Sequence, residues 1–301
     1  MRRWHGNIAS ETPPITVVVA AYNRPIELLL CLAGYRRQSL GNFELILADD
    51  GSGPEVEEIF KRFSKEVSIP TTYLRQEDRG WGKLRMLNWA ALEAKADYVC
   101  FTDGDCIPHR HFVRNHLEES DERTVQCGRR VDLMEKISPA ISEEDVRSGR
   151  VDSVIWLAER ILKDEVDFGW RGFHLPRILA RMIDALRAPT LLGSNMSLHK
   201  KWLLELNGFD ESFTVPGIGE DTDMQRRFEM AGLDVRWITY RAIQYHLWHP
   251  PTAVGKVAHE IFESVKSRRN KTALKGIKEF LPEFKSLGSG LRPDPSPKFP
   301  R

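Results

Sequence analysis

The sequence predicts an α/β fold, a Rossmann-like, mostly parallel central sheet flanked by helices. Three observations predict it. Apolar, β-branched runs such as "ITVVVAAYNRP" and "FELILADDGSG" read as buried strands that break at polar loops. Helix-spaced segments alternate with them along the first hundred residues. The loops that end those strands, "AAYNRP", "ADDGSG" and "TDGDC", hold polar and acidic residues, and in such sheets ligands sit beyond the carboxyl ends of the strands.

The elements follow in order. After Pro14 a buried strand runs into a loop, and a helix begins near Pro25, since proline suits a first turn. "IELLLCLAGYRRQS" continues that helix. The second strand breaks at Asp49-Asp50-Gly51-Ser52, and "PEVEEIFKRFSKE" is a helix, again with proline in its first turn. "TTYLRQ" is a third strand, "GKLRMLNWAALEAK" a helix and "DYVCFTDGD" a fourth strand. Residues 133 to 189 are mostly helical with no clear sheet pattern. Within them "GWRGFHLPRILARMIDALR" could lie in a membrane interface as a basic amphipathic helix. We read it instead as an ordinary surface helix packing on its own domain. Further on, "AIQY" is a strand directly before "HLWHPP". "IFESVKSRRNKTALKGIKEFL" reads as one basic helix, and the Pro/Gly-rich tail as disordered.

With 44 basic and 43 acidic residues the formal charge is +1, so no whole-molecule field favours nucleic acid. From Thr252 onward the chain is basic, which points to an anionic surface such as a membrane. The four cysteines form no CxxC pair and read as reduced thiols of a cytoplasmic protein. A zinc site from Cys106, His109 and His111 matches no common spacing. The start "MRRWHGNIASETPP" lacks the apolar core of a signal peptide. No run approaches the ~20 apolar residues that span a bilayer. Any membrane contact is therefore peripheral, at the inner face.

"FTDGDC" places Asp103 and Asp105 at the mouth of a buried strand, where two carboxylates repel. A plain turn explains them locally. A divalent cation holding a phosphate explains them together with the two converging loops.

"VVVAAYNRP", "LILADDGSG", "GKLRMLN" and "FTDGDC", in that order, resemble the nucleotide-sugar half of family 2 glycosyltransferases of the GT-A fold. "LLGSNMSLHKKWLLELNGFDESF" and "GEDTDMQRRF" resemble that family's acceptor half, especially its chondroitin-polymerase and galactosyltransferase-like branch. The resemblance runs from about Ile15 to Pro251. It implies a donor-binding half (15–132), a helical insertion (133–189), an acceptor half (190–251) and a basic helical extension with a tail (252–301). The implied reaction is metal-dependent, inverting transfer from a nucleotide-diphosphate sugar to a glycan or lipid-linked glycan.

By the same resemblance Asp105 holds Mn²⁺ or Mg²⁺, and Asp103 touches the ribose or a metal-bound water. Gly104 lets the backbone approach closely. A late histidine completes the metal site, with His246 favoured over His249. The loop bearing Ala20, Tyr22 and Arg24 and the loop bearing Asp50 form the base pocket. Tyr22 can stack on a pyrimidine, and Asp50 can accept from a uracil imide N–H, which favours a UDP-sugar. Lys83 and Arg85 are placed near the diphosphate, and Asn195 under the donor sugar. Asp221 is the implied general base, with Glu220 orienting acceptor hydroxyls. Asp223 supports Arg226 or Arg227, and Trp202 reads as core. Pro216, Gly217 and Gly219 form a loop suited to closing over the acceptor. A nucleotidyltransferase making an activated sugar would want a Gly-rich basic loop after the first strand, which "AAYNRP" lacks. A non-catalytic sugar-binding protein would not need Asp105, Asp221 and His246 together.

Overall fold

The buried β-branched runs dictate where the chain pairs. A computed structural model describes residues 1–7, 11–217, 219–250, 255–266 and 269–287. The strands are β1 (Arg2–His5), β2 (Thr16–Ala21), β3 (Glu44–Asp49), β4 (Thr71–Arg75), β5 (Tyr98–Asp103), β6 (Cys106–Pro108), β7 (Thr124–Cys127), β8 (Arg129–Leu133), β9 (Val166–Asp167), β10 (Asn195–His199), β11 (Asp234–Trp237) and β12 (Ile243–His246). The helices are α1 (Pro25–Arg36), α2 (Pro54–Glu66), α3 (Lys83–Glu93), α4 (Phe112–Glu118), α5 (Glu143–Arg147), α6 (Val154–Leu162), α7 (Arg177–Asp184), α8 (Lys200–Glu205), α9 (Glu220–Met230), α10 (Lys256–Lys266) and α11 (Ile277–Leu287).

One sheet has the order β1-β4-β3-β2-β5-β10-β7-β11, and four of its seven pairings are parallel. The period of two in β2 and β3 sorts their side chains to opposite faces. Val17, Val19, Leu45 and Leu47 pack with Leu28 and Leu32 of α1 and Phe60 and Phe63 of α2. Val18, Ile46 and Ala48 pack with Leu84, Leu87 and Ala90 of α3. Both faces are covered, so the strands read as continuous apolar runs rather than alternating ones. Because β3, β2 and β5 are parallel neighbours, the loops after Ala21, Asp49 and Asp103 emerge side by side.

The smaller sheet, β6-β12-β8-β9, sets the other half of the site. Antiparallel pairing of β6 with β12 puts His246 opposite Cys106, and Leu247 N–H donates to the Asp105 carbonyl at 2.9 Å. Residues more than 140 positions apart are thereby brought to one edge. Residues 133–189 carry α5, α6, α7 and 3₁₀ turns, with Val166–Asp167 added to the sheet edge. Val131, Leu133, Trp156, Leu157 and Tyr245 form the core beneath them.

Two expectations are corrected. The surface helix containing α7 does not pack its apolar face inward. The carboxylate of Glu119 is buried and must be paired. Arg177 Nε and an Arg181 guanidinium nitrogen reach it at 2.8 and 2.6 Å, so the charged face of α7 turns in and the apolar face turns out. The basic C-terminal segment is also not one helix. Residues 269–276 are not helical, and this stretch, with Ile277 that follows it, bonds with the loop after α8: Ala273 N–H donates to Leu206 O and Ile277 N–H to Asn207 O. A Cβ at Gly276 would stand 1.8 Å from the Asn207 carbonyl oxygen, so only glycine allows this approach. The proline-rich tail lies outside the described residues.

Candidate active site at the sheet edge

The loops after β2, β3 and β5 open on a cleft of about 470 Å³. Ala20, Tyr22, Arg24, Asp50, Lys83, Asp103, Gly104 and Asp105 all line it, together with Trp81 and His249. Gly104 lies against the first loop. Its N–H donates to the Ala20 carbonyl at 2.7 Å, and a Cβ there would come within 3.0 Å of that oxygen.

At the base-pocket end, Tyr22 is half exposed and its hydroxyl donates to Asp78 at 3.0 Å. Asp50 is buried and accepts from Gln76 Nε2 and from Gly82 N–H (2.8 Å). Burial raises its pKa, partly offset by those two donors. The neighbouring Asp49 is turned inward, accepting from Tyr73 Oη at 2.6 Å and Ser52 N–H at 2.9 Å. The aspartate pair thus divides into one structural and one cleft-facing carboxylate.

Lys83 opens α3 and points its ammonium at Asp103, 2.5 Å away. Burial alone would lower its pKa, but Asp103, then Asp221 and Asp105, outweigh that and raise it. Arg85 is displaced from the expected place. Two residues on, it lies around the helix from Lys83 and its guanidinium stacks 4.9 Å over the Phe280 ring. Asn195 is likewise not under the cleft. It is fully buried, and its amide donates to Arg129 O and Ala242 O while its oxygen faces His116 Nε2 at 3.0 Å. Its hydrogen-bonding groups are used in holding β10 to the smaller sheet.

Asp105, His246 and His249 form a group whose ligand atoms lie within 4.8 Å of one another. Among the described residues no other cluster of His, Cys, Asp or Glu meets that condition, and Cys106, His109 and His111 do not. His246 Nε2 is 3.9 Å from Asp105 Oδ1 and His249 Nε2 is 3.5 Å from Oδ2. The other nitrogen of each ring faces an acceptor: His246 Nδ1 meets Asp132 Oδ1 at 3.1 Å, and His249 Nδ1 meets Pro250 O at 2.9 Å. With Nδ1 of each ring facing an acceptor, a cation beside Asp105 would be offered the Nε2 lone pair of both rings. Three electron-pair donors facing one another fit a divalent cation between them. The Asp105 pKa falls well below the usual carboxylate range. Burial opposes that shift, but before a cation binds the hydrogen bond from His249, the attraction of both imidazolium forms and that of Lys83 overcome it, and a bound cation would take over that positive charge.

Asp221, in the first turn of α9, faces the same space. Its Oδ2 accepts from Gly193 N–H at 2.9 Å. Burial pushes its pKa up to about 6, with Glu220 and Asp103 adding to the effect and Gly193 and Lys83 opposing it. Glu220 precedes it at the helix start. Asp223 points away and pairs with Arg227 Nε at 2.7 Å in the core. Trp202 packs at the margin of the main core and its indole N–H donates to Glu122 O. Pro216 of the loop before α9 lines the cleft.

Sequence reasoning missed Gly193, Asp132, Trp81 and the equal standing of His249. Tertiary contacts alone bring Gly193 and Asp132 to the site. His249 carried a signal in the spacing of "YHLWHPP", where both histidines flank one turn.

A Rossmann-like sheet whose strand-end loops carry Asp50, Asp103 and Asp105, with Asp221 facing the same space, is a layout suited to a phosphorylated ligand. Comparison with known proteins agrees. The Glycosyl transferase family 2 model matches residues 16–158, and the Glycosyl transferase family group 2 model matches residues 167–277. The chain belongs to glycosyl transferase family 2. It is 28% identical over 250 residues to the chondroitin synthase of Escherichia coli, which covers 77% of this chain and 34% of that one. It is 27% identical over 243 residues to the validoxylamine A glucosyltransferase of Streptomyces hygroscopicus (74% and 53%). A hyaluronan synthase of Pasteurella multocida is 26% identical over 226 residues (71% and 22%). The chain thus spans about a third or less of the two polysaccharide synthases. Among solved structures, a mannosyltransferase from Pyrobaculum calidifontis in complex with GDP-mannose and Mn²⁺ superposes with a TM-score of 0.50 at 16% identity, covering 85% of this chain and 61% of that one. That likeness establishes the shared GT-A fold.

Proposed function

We propose that the chain is a divalent-cation-dependent, inverting glycosyltransferase. Its donor is a nucleotide-diphosphate sugar, with UDP favoured, and its acceptor a glycan or lipid-linked glycan. The observation that carries this reading is the convergence of Asp103, Asp105 and Asp221 on one ammonium, Lys83, at the mouth of the cleft.

Tyr22 and Asp50 hold the base. Each Asp50 oxygen keeps a lone pair beyond its bond to Gln76 or Gly82, so an imide N–H can still be received. Asp105, His246 and His249 would hold Mn²⁺ or Mg²⁺, and the two imidazoles favour Mn²⁺. When bound, the cation neutralises charge developing on the departing diphosphate. Lys83 adds a second positive charge at the same end. Asp221 receives the acceptor proton as the acceptor oxygen bonds to the anomeric carbon and the carbon–oxygen bond to the diphosphate breaks. A carboxylate with a pKa near 6 is ionised at neutral pH yet more basic than an ordinary aspartate, as a general base requires.

The test is a panel of nucleotide sugars assayed with Mn²⁺, Mg²⁺ or EDTA, with NMR assignment of the product anomer. Inverted product from one donor, lost in EDTA, is expected. Retained configuration, or full turnover in EDTA, would overturn the mechanism. Asp105→Ala should remove transfer and cation-dependent nucleotide binding together.

A further inference from the structure

No residue of α7 lines the cleft, and the helix is amphipathic in the wrong sense for a soluble surface helix. Its inward contacts are ionic: Arg177 and Arg181 pair with buried Glu119, and Asp184 accepts the Thr239 N–H at 2.9 Å. Its outward face is apolar. Ile178 is 77% exposed, Met182 64% and Leu186, just past the helix end, 83%, with Leu179 beside them. Ten of the fourteen large apolar side chains exposed among the described residues fall between Val154 and Leu186. An apolar concentration of that kind marks an interaction surface rather than ordinary scatter.

What borders it identifies the partner. Arg129, Arg171 and Arg187 come together beside α7 with Trp170, Trp237 and Tyr240. Arg171 lies 3.8 Å over the Phe168 ring, and Arg187 lies 5.0 Å over Trp170. Burial, and then the like charge of Arg129, lowers the Arg171 pKa, a crowding that an anion would relieve. Of the carboxylates nearby, Glu119 and Asp184 are turned inward and bonded, and Asp132, which partly offsets the crowding on Arg171, is already paired with Arg130 and His246. Apolar side chains facing out, half-exposed Phe168 and Trp170 at their border, and three arginines whose neighbouring carboxylates already have partners match the apolar–headgroup boundary of an anionic bilayer.

We propose that the α7 face is a docking surface for an anionic lipid membrane, with Ile178, Leu179, Met182 and Leu186 entering the interface and Arg129, Arg171 and Arg187 meeting headgroup phosphates. This reading is independent of the sugar donor and of the chemistry assigned to the cleft.

The test is flotation of the full chain with phosphatidylcholine vesicles containing a quarter phosphatidylglycerol, against vesicles of phosphatidylcholine alone. Binding to the anionic vesicles, weakened by salt, is expected. The triple variant Ile178→Ser/Met182→Ser/Leu186→Ser should lose about tenfold or more in vesicle affinity, since each side chain would enter apolar surroundings. Its thermal unfolding should shift little, because those side chains are mostly exposed. Arg171→Gln/Arg187→Gln should remove the preference for phosphatidylglycerol. Absence of wild-type flotation, or undiminished flotation of the triple variant, would overturn the proposal. So would a dimer of the wild-type chain that the triple variant converts to monomer, since a second copy would then be the occupant.

Discussion

Asp221 carries its charge at a cost set by its surroundings. Burial and two neighbouring carboxylates raise its pKa to about 6, so the folded protein holds the Asp221 proton more tightly than the unfolded chain, where an aspartate titrates near its ordinary value. The sign follows. Its contribution to stability is fully present below the unfolded pKa and is lost as pH rises through 6. Asp221→Asn should therefore abolish transfer while leaving donor binding intact, and should also raise the melting temperature. The gain, of order 1–3 kcal/mol at pH 8, should vanish near pH 4, as read by calorimetry across that range. A variant that melts lower than wild type at pH 8 would contradict the assignment of strain to this residue.

Asp132 makes a second prediction at this scale. It pins His246 through Nδ1 and is itself held by Arg130 Nε at 2.8 Å. Asp132→Asn should weaken Mn²⁺ binding about 10–100-fold, measured by isothermal titration, with little change in nucleotide-free stability. The residues legible in sequence were those whose place is fixed by a local motif: Tyr22, Asp50, Asp103 and Asp105 stand within two positions of a strand end, and Lys83 opens α3. Asn195 and Arg85 were misplaced because a strand's register and a helix's rotation decide where a side chain points. Neither is written in the residue's own neighbourhood.

At the scale of elements, the start of α9 depends on the segment before β10. A Cβ at Gly193 would sit 2.3 Å from Asp221 Oδ1. Gly193→Ala must therefore displace the carboxylate from the N–H that holds it. Turnover should fall by about 10²-fold, as expected for misplacing a reacting group by an ångström, while the donor KM stays near wild type. Farther along α9, Asp223 neutralises an arginine that is 2% exposed and that also donates to Gly208 O at 2.8 Å. Asp223→Ala leaves that charge unpaired in the core and should cost about 3–5 kcal/mol in denaturant unfolding. The parallel strands were readable because burial on both faces leaves continuous apolar runs. The orientation of α7 was not, because it answers to Glu119, a carboxylate some sixty residues earlier whose burial no local pattern announces.

For the whole molecule the charges balance only in part. Described residues place Asp50, Asp103, Asp105 and Asp221 around the cleft against two cationic side chains, Lys83 and Arg24, with the imidazoles of His246 and His249 beside Asp105. A diphosphate entering that space would meet net negative charge at short range and in low dielectric, where repulsion is stronger than in water. Nucleotide binding should therefore require the cation as a partner. UDP with Mn²⁺ at about a hundredfold above its dissociation constant should stabilise the fold by about 2.7 kcal/mol, a melting shift of several degrees. UDP in EDTA should leave the melting curve where it was, and Mn²⁺ alone should produce only a small shift. Exchanging UDP for ADP removes the imide N–H that Asp50 would accept, so ADP with Mn²⁺ should give a smaller shift than UDP with Mn²⁺. If UDP in EDTA stabilises as well as UDP with Mn²⁺, the positive charge that receives the diphosphate comes from the protein itself. Lys83 would then be the group that binds the diphosphate, and Asp103 would be held in place only by that lysine.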